Sequence, residues 1–284
     1  MNGWKHPVPE GWNELVWSAL EEDIGPGDLS AASLDPDSKV DWEIECQAVG
    51  VLCGVGLAYH ILSPEPEDPD DCRVEVLLED GEPLENGDIV VRGRSLATRL
   101  LGRERTALNF LMILSGVSSL TRRYVEKLDG LDVDVTDTRK TVPGMRGLQK
   151  YAVRCGGGKN HRMGLFDAVM LKDNHIRAAG SITEAMARIR HTVGHMVRVE
   201  VECESLAQVQ EAVEAGADVV MLDNMDPFSM AEAAKQFRHK AVLEASGGIN
   251  LDTVRGAAAS GVHVVSVGAL THSATALPFH LEVR

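Results

Sequence analysis

Four apolar runs in the second half of the chain decide the fold: VRVEVECE (197–204), DVVMLDN (218–224), AVLEASGG (241–248) and VHVVSVG (262–268). Each run ends in a polar or glycine residue, and the last three recur about every 21 residues, with helical patterns between them. Repeated strand–helix units of this kind predict parallel strands that are joined by right-handed crossovers.

Two earlier runs, VDVTDTRK (133–140) and AVMLKDN (168–174), extend the repeat toward the N-terminus. A doubly wound open sheet stays possible. A barrel is favoured because nearly every strand carries its polar group at the C-terminal end, where barrels gather their active sites. Roughly 140 to 160 residues are few for eight full units, so we expect an irregular barrel.

The first part of the chain follows a different pattern, in which helices and strands alternate without a fixed repeat. Helices are predicted at 13–22 and 102–128, and strands at 40–46, 74–78 and 88–91. Gly116 and the serine pair at 118–119 predict a break or junction in the second helix. A chain of 284 residues can hold one large or two moderate domains.

The composition is that of an ordinary globular protein, with 44% hydrophobic and 25% charged residues. No run of 18 or more apolar residues is present, so we expect no membrane-spanning helix. The N-terminus lacks a basic segment followed by an apolar one, so we expect no secretory signal. Five cysteines, an odd number without CxxC spacing, argue against a disulfide framework or a zinc cage and for a reducing cytoplasm.

Residues 137–175 oppose the charge of the rest of the chain. They hold eight Lys or Arg against three acids, whereas the whole protein has 28 basic and 43 acidic residues and a net charge of −15. Nucleic-acid binding needs a broad basic face, which this charge balance opposes. The pattern predicts a site for something small and strongly anionic.

The predicted strand ends carry the residue types that such a site needs. In a closed barrel, one mouth would collect Arg139, Lys140, Lys172, Glu202, Asp223, Ser246, Gly247, Gly248 and Gly268. Alternation in VRVEVE points Arg198, Glu200 and Glu202 into the barrel if the valines face the outer helices. SGGI (246–249) and VGALT (267–271) lie at consecutive strand ends and predict phosphate binding by backbone N–H groups.

A glycine loop and two carboxylates complete the predicted site. His161 and Arg162 follow three glycines at 156–158, which lack Walker A spacing but can fold over a ligand. Glu202 and Asp223 form an incomplete cage for Mg²⁺, so they predict a phosphorylated substrate that brings its own metal.

Six motifs in order carry a family resemblance: TRKTVPGMRGLQKYAV, GGGKNHRMGLFDAVMLKDNHI, VEVE, MLDN, SGGI and VGALTHS. With EEDIGPGDLS (21–30) and RERTALNFL (103–111), the chain resembles the quinolinate phosphoribosyltransferase family over nearly its whole length. It departs from the family pattern at Gln149, where an acid is usual, and at Cys155 and Lys159, where small apolar residues are common.

The resemblance implies an N-terminal α/β sandwich domain (1–113, completed by 273–284) and a C-terminal irregular, seven-stranded α/β barrel (114–272). It also implies a homodimer in which the partner subunit's Arg105 reaches the barrel mouth. The implied reaction transfers phosphoribose from 5-phosphoribosyl 1-pyrophosphate (PRPP) to quinolinate with loss of pyrophosphate and CO₂. The product is nicotinate mononucleotide, for NAD biosynthesis.

The resemblance also implies roles for named residues. The quinolinate ligands would be Arg105, Thr138, Arg139, His161, Arg162 and Lys172. The PRPP ligands would be Lys140, Glu202, Asp223, Ser246, Gly247, Gly248, Val267, Gly268 and Ala269. Catalysis falls to Lys140, Lys172, Glu202 and Asp223; the two carboxylates would stabilise positive charge at C1 of the ribose and hold Mg²⁺.

Three alternatives stay open from the residues themselves. Lys172 at a strand end also fits a phosphate-binding barrel aldolase or isomerase that uses a Schiff base, and borohydride trapping would test for it. A related phosphoribosyltransferase could use another acceptor, such as nicotinate. The third alternative is a metabolite-binding protein without activity.

Overall fold

The computed structural model describes residues 11–284, which divide into two compact units. The first contains residues 11–122, 142–157 and 273–284, and the second contains 123–141 and 158–272. Residues 142–157 therefore pack with the first unit, although the expected linear division assigns them to the barrel. Residues 1–10, which belong to the expected first domain and to the expected signal-free N-terminus, lie outside the described residues.

The first unit is built on an antiparallel sheet. Its helices are α1 (Trp12–Ile24), a 3₁₀ turn (Leu29–Ser33), α2 (Val55–Leu62), most of α3 (Ala97–Lys127) and α4 (Arg146–Cys155). Its strands are β1 (Lys39–Cys46), β2 (Gly50–Val51), β3 (Arg73–Val76), β4 (Pro83–Leu84), β5 (Ile89–Leu96) and β12 (Phe279–Val283). The sheet order is β12-β1-β5-β3, with β2 and β4 in a separate ladder. Helix α2 packs on β3 and β5, which gives the expected α/β sandwich.

Strand β1 shows why this sheet has one buried face. Trp42, Ile44 and Cys46 are buried while the residues between them are not, as the period of two in a strand requires. The Trp42 indole N–H donates to Ser95 Oγ at 2.9 Å, so its polar atom is satisfied inside the core. The strand predicted at 40–46 is confirmed.

The long helix has no break at Gly116, since α3 is continuous over 31 residues, but the predicted junction is found: the boundary between the two units falls within α3, after Arg122. A Cβ at Gly116 would collide with the backbone of Thr275, so the glycine allows a close approach rather than a bend. The Ser118 hydroxyl donates to the carbonyl of Val51 at 2.7 Å. Small and hydroxyl residues in α3 therefore serve packing against neighbouring backbone.

The second unit alternates strands and helices. Its strands are β6 (Asp134–Thr136), β7 (Val169–Leu171), β8 (Val199–Cys203), β9 (Val219–Asp223), β10 (Val242–Ser246) and β11 (Val264–Ser266). Its helices are α5 (Asp173–Ala179), α6 (Ile182–Thr192), α7 (Leu206–Glu214), α8 (Pro227–Phe237), α9 (Val254–Ala259) and α10 (Ala269–His272). Helices α7, α8 and α9 lie between the last four apolar runs, where the sequence has helical patterns.

The strand order identifies a barrel. All pairs are parallel, and the order is β6-β11-β10-β9-β8-β7, so the first strand pairs with the last. A doubly wound sheet would instead reverse its order at a switch point. A single parallel bridge between Thr136 and Lys159 adds a seventh segment beside β6. The irregular, seven-stranded α/β barrel expected from the sequence is therefore the fold of this unit.

All five cysteines are free and buried. None of the helices within residues 11–284 combines the length and the apolar character needed to cross a bilayer.

Candidate active site

A cavity of about 500 Å³ opens at the carboxyl ends of the barrel strands, and we call it the mouth cavity. It is lined by Thr138, Arg139, Lys140, His161, Arg162, Met170, Lys172, Glu202, Met221, Asp223, Asn224, Ser246, Gly247 and Gly248. Eleven of these fourteen residues were predicted from the sequence, and they come from six separate segments of the second unit. The barrel thus brings together groups that lie far apart in the chain.

Lys172 and Glu202 form the most direct contact across the cavity. Lys172 follows β7 and Glu202 lies near the end of β8, so neighbouring parallel strands present the two side chains at one edge. Lys172 Nζ lies 3.0 Å from Glu202 Oε2, and the lysine side chain is 46% exposed. A ligand that enters the cavity can therefore reach the ammonium group.

Arg162 adds a half-buried cation to this set. Its Nη1 donates to the carbonyl of Ala168 at 3.0 Å. Burial, and next the charge of Arg139, lower the pKa of Arg162 below its usual value. The nearby cations therefore favour an anion between them, as the charge pattern of residues 137–175 predicted.

Lys140 is connected to the last loop of the barrel. Thr138 Oγ1 accepts from Lys140 N at 3.0 Å, which closes the turn after β6. The carbonyl of Lys140 accepts from Thr271 Oγ1 at 2.7 Å. A Cβ at Gly268 would lie 3.0 Å from Lys140 Cδ, so glycine leaves the lysine room to pass.

The loop after β10 turns sharply beside Asp223. Gly247 and Gly248 have φ of 92° and 61°, which are left-handed values that glycine adopts without strain. Asn224 N donates to the carbonyl of Ser246 at 3.0 Å, and Asn224 Nδ2 donates to Asp223 Oδ2 at 2.8 Å. The next helix, α9, begins only at Val254, so no helix N-terminus lies directly behind this loop.

Four predicted residues do not line the mouth cavity. Val267 is buried under the last loop, and Gly268 and Ala269 lie beside it without reaching the cavity. Arg105 lies on α3 in the first unit and is exposed.

Sequence reasoning missed Met170, Met221 and Asn224 as lining residues. A signal was available, since Met170 lies two residues before Lys172 and Met221 two before Asp223. Alternate residues of a strand share a face, so each methionine had to point inward with the polar residue that follows it.

His161 lies at the bottom of the mouth cavity against two buried acids, Glu200 and Glu244, which we call the acid pair. Its Nε2 lies 3.1 Å from Glu200 Oε2 and 3.6 Å from Glu244 Oε1. The acids are only 5% and 4% exposed. Burial, and next the negative charge of Glu200, raise the pKa of Glu244 from 4.5 to about 7.

A second cavity of about 380 Å³, the lower cavity, lies below this layer. It is lined by residues that begin the strands, such as Val169, Val242 and Val264, together with the acid pair. His161 and Arg162 line both cavities. These two side chains therefore form the partition between the two ends of the barrel.

Within residues 11–284, no third Asp, Glu, His or Cys lies close enough to Glu202 and Asp223 to bind a metal ion together with them. Both reach the mouth cavity, and both have carboxylate oxygens of the kind that Mg²⁺ prefers. They suit a metal that is held mainly by a bound polyphosphate.

Comparison with known proteins gives consistent matches. The model of the quinolinate phosphoribosyl transferase N-terminal domain matches residues 28–115, and that of the C-terminal domain matches residues 117–282. A probable nicotinate-nucleotide pyrophosphorylase (carboxylating) of Bacillus subtilis (strain 168) is 42% identical over 264 residues, which cover 92% of this chain and 90% of the relative. The nicotinate-nucleotide pyrophosphorylase (carboxylating) of Mycobacterium leprae (strain TN) is 37% identical over 276 residues, covering 95% and 96%.

Solved structures agree with these sequence matches. The structure of the nicotinate-nucleotide pyrophosphorylase from Francisella tularensis superposes with a TM-score of 0.93 at 34% identity, and the match covers 100% of both chains. The two-domain fold, the cationic barrel mouth and the matches over nearly the full length lead to one conclusion: the chain belongs to the quinolinate phosphoribosyltransferase family.

Proposed function

We propose that the mouth cavity is the active site in which this protein transfers phosphoribose from PRPP to quinolinate. The reaction, with its loss of CO₂ and formation of nicotinate mononucleotide, is that of the family. The observation that carries the site assignment is the convergence of Arg139, Lys140, Arg162 and Lys172 with Glu202 and Asp223 in one cavity of about 500 Å³. A dicarboxylate and a pyrophosphate ester together need such a set of cations.

Arg139, Arg162 and Lys172 bind the two carboxylates of quinolinate in this proposal, with Thr138 as a hydroxyl donor. Arginine suits this task because its planar guanidinium can hold a carboxylate through two parallel hydrogen bonds. Lys172 now pairs with Glu202 at 3.0 Å. A substrate carboxylate would accept from the same ammonium group. This contact would orient the ring nitrogen of quinolinate toward the ribose.

Glu202 and Asp223 face the ribose in this proposal. As pyrophosphate leaves, C1 gains positive character, and fixed carboxylates stabilise that charge. Lys140 stabilises the negative charge that collects on the departing pyrophosphate. The ring nitrogen becomes cationic when the new bond forms, so its charge stabilises the electron pair that departing CO₂ leaves on the adjacent carbon, and a proton from water then takes the place of the CO₂.

The loop at Ser246, Gly247 and Gly248 holds the 5-phosphate through backbone N–H groups, and the segment at Val267, Gly268 and Ala269 shapes the same end of the site. Glu202 and Asp223 are the side chains that would contact Mg²⁺ carried by the pyrophosphate of PRPP. When bound, the metal neutralises charge on the leaving group.

A homodimer completes the site, with the partner subunit's Arg105 as an additional quinolinate ligand. The exposure of Arg105 on α3 supports this role because the side chain is accessible to another molecule. The functional division is an N-terminal domain, 1–113 with 273–284, and a barrel domain, 114–272. A cytoplasmic location is supported by five free thiols, since oxidising compartments favour disulfides.

A product assay with quinolinate, PRPP and Mg²⁺ tests the activity, with nicotinate as the competing acceptor. We expect nicotinate mononucleotide and CO₂ from quinolinate and no product from nicotinate. Borohydride trapping of substrate on Lys172 would contradict the assignment. For the shared site, mixing Arg105→Ala with Lys172→Ala subunits under conditions of exchange should restore activity, and lack of restoration would count against the dimer.

A further inference from the structure

The acid pair and His161 form a buried cluster, and the reaction described above gives the acid pair no role. The lower cavity beside them is lined by valines, such as Val219, Val242 and Val264, and by polar residues, such as Asp134 and Arg198. Burying carboxylates in place of apolar side chains does not by itself stabilise a fold. Two acids that are 95% buried or more therefore call for a specific explanation.

The ring of His161 is engaged at both nitrogens. Arg162 N donates to His161 Nδ1 at 2.7 Å, so Nδ1 is the unprotonated nitrogen and the ring proton lies on Nε2. That nitrogen faces Glu200 Oε2 at 3.1 Å and Glu244 Oε1 at 3.6 Å. An imidazole in this orientation offers neither nitrogen to a ligand in the mouth cavity.

The backbone on the other side of the ring is anchored as well. Asp137, which is fully buried, accepts from His161 N at 2.9 Å and from Asn160 Nδ2 at 2.6 Å. The segment 160–162 is thus held by three acids, Asp137 at its backbone and the acid pair at its imidazole. Arg162 is the residue that this anchoring delivers to the mouth cavity.

We propose that Glu200 and Glu244 are positioning residues that hold the His161 ring, and that His161 in turn fixes the backbone of Arg162 so that its guanidinium meets quinolinate. His161 then acts through Arg162 and is not a cation that touches the substrate. This inference rests on the quinolinate site proposed above.

Unsatisfied polar atoms in the cluster indicate that the acid pair is there to position His161 and not to fill the core. Glu200 Oε1 and Glu244 Oε1 are buried without a hydrogen-bond partner among the described residues. Buried polar groups are normally satisfied, so such atoms mark a site whose arrangement serves something other than stability. The donor atoms of all three side chains also lie within 4.8 Å of one another, a spacing that a divalent cation could bridge. The experiment must therefore distinguish a positioning role of the acid pair from the binding of a divalent cation.

A double-mutant cycle on Arg162 tests the relay. We expect Glu200→Leu to raise the KM for quinolinate about tenfold while kcat and the KM for PRPP change less than about twofold. Glu200→Gln keeps an oxygen that can accept from Nε2–H, so it should stay within about threefold of the original protein. In an Arg162→Ala background, Glu200→Leu should have no further effect, because residues that act as one unit are not additive.

The histidine variants give a second measurement. His161→Asn keeps an acceptor near the position of Nδ1 but no donor toward the acid pair, so it should lose less quinolinate affinity than His161→Leu, which keeps neither and should lose about tenfold. Glu214→Leu removes an exposed acid from α7 of the same unit and is the matched control. Equal loss in His161→Asn and His161→Leu, or additive loss in the Arg162→Ala background, would overturn the proposal in favour of direct contact with the substrate.

The ¹⁵N spectrum of histidine-labelled protein, with His161 assigned from its variants, is independent of activity. We expect an unprotonated Nδ1 and a protonated Nε2 in the free protein. A doubly protonated ring, or metal analysis that finds a stoichiometric divalent ion lost in Glu244→Gln, would refute the arrangement. If the free protein shows the expected ring but makes no nicotinate mononucleotide, the proposed function fails while the contact between the acid pair and His161 stands.

Discussion

Among residues 11–284, a cluster of buried acids with Cys or His side chains is found in each unit, and the two clusters are satisfied to different degrees. In the first unit, Asp80 Oδ1 accepts from Val55 N at 3.0 Å and Asp80 Oδ2 accepts from the Tyr151 hydroxyl at 2.6 Å, beside the thiols of Cys53 and Cys155. In the barrel, one oxygen of each member of the acid pair has no hydrogen-bond partner in the described part of the chain.

The difference separates structure from function. A buried network whose members are satisfied makes a fold more rigid and more specific. A cluster with unsatisfied atoms that borders two cavities destabilises the fold and is retained for a ligand or for a residue that binds one. We therefore expect substitutions in the first cluster to lower stability and substitutions around the barrel mouth to lower activity.

The largest effect is expected at the mouth cavity itself, with Lys172→Ala. Removing a cation that the proposed function places against the substrate should lower kcat/KM about 1,000-fold, while the free energy of unfolding stays within about 1 kcal/mol of the original value. Steady-state kinetics and urea denaturation measure the two quantities. Lys159→Ala is the control, because its ammonium is exposed and pairs with Asp134 at 2.6 Å. A comparable loss of kcat/KM in Lys159→Ala would show that the effect is not specific to the mouth cavity.

Asp80→Ala should have the opposite profile. It removes two buried hydrogen bonds to a carboxylate, each worth about 1.5 to 3 kcal/mol, so the free energy of unfolding should fall by about 4 kcal/mol. Asp80→Asn keeps an acceptor oxygen and should lose less. The kcat of the folded fraction should stay within about twofold in both. If kcat falls as it does in Lys172→Ala, the cluster in the first unit is not purely structural.

The acid pair should make the stability of the protein decrease as the pH rises from 4.5 to about 7. Because the pKa of Glu244 is raised from 4.5 to about 7, the native state binds this proton more tightly than the unfolded state does. Stability from this group is therefore full below pH 4.5 and is lost as the pH rises to about 7, by about 3 kcal/mol in all.

Glu244→Gln cannot titrate, so its stability should rise relative to the original protein over this window. Urea midpoints from pH 4.5 to 8 measure the difference. The exposed Glu214→Gln should instead give a profile parallel to the original. A difference profile that is flat for Glu244→Gln would mean that burial of the acid pair costs nothing, and the contrast between the clusters would fail.

The sequence predicted more of the barrel than of the first unit, for a physical reason. Strand ends recur with the repeat, so Lys172, Glu202 and Asp223 could be placed in one mouth without knowing any contact. Nothing in the local pattern relates Cys53, Asp80 and Cys155, which come from three distant segments of the first unit. Residues 142–157 pack with the first unit through contacts to residues far away in the sequence, and such contacts leave no periodic signal in the sequence.

Glu244 lies between these cases. It occupies the position two residues before Ser246, on the face that strand alternation turns into the barrel. The pattern could have placed the residue inside, as it did for Glu200. Its closeness to His161 depends on the closure of the barrel and on the path of segment 160–162, neither of which the sequence determines.

The smallest effect is expected in the loop after β10, where a substitution removes no polar group and should change, among the kinetic constants, only the KM for PRPP. A Cβ at Gly247 would lie 2.8 Å from Asn224 N and would press on the amide next to Asp223, whereas a Cβ at Gly248 meets open space. Both glycines have left-handed φ, so alanine at either costs about 1 kcal/mol of backbone strain. The difference between Gly247→Ala and Gly248→Ala therefore isolates the contact with Asn224. We expect about a tenfold rise in the KM for PRPP in the first and about a twofold rise in the second, with the KM for quinolinate as internal reference. Equal effects would show that Asn224 does not position the loop, and a loss of stability without a change in KM would place Gly247 with the structural cluster.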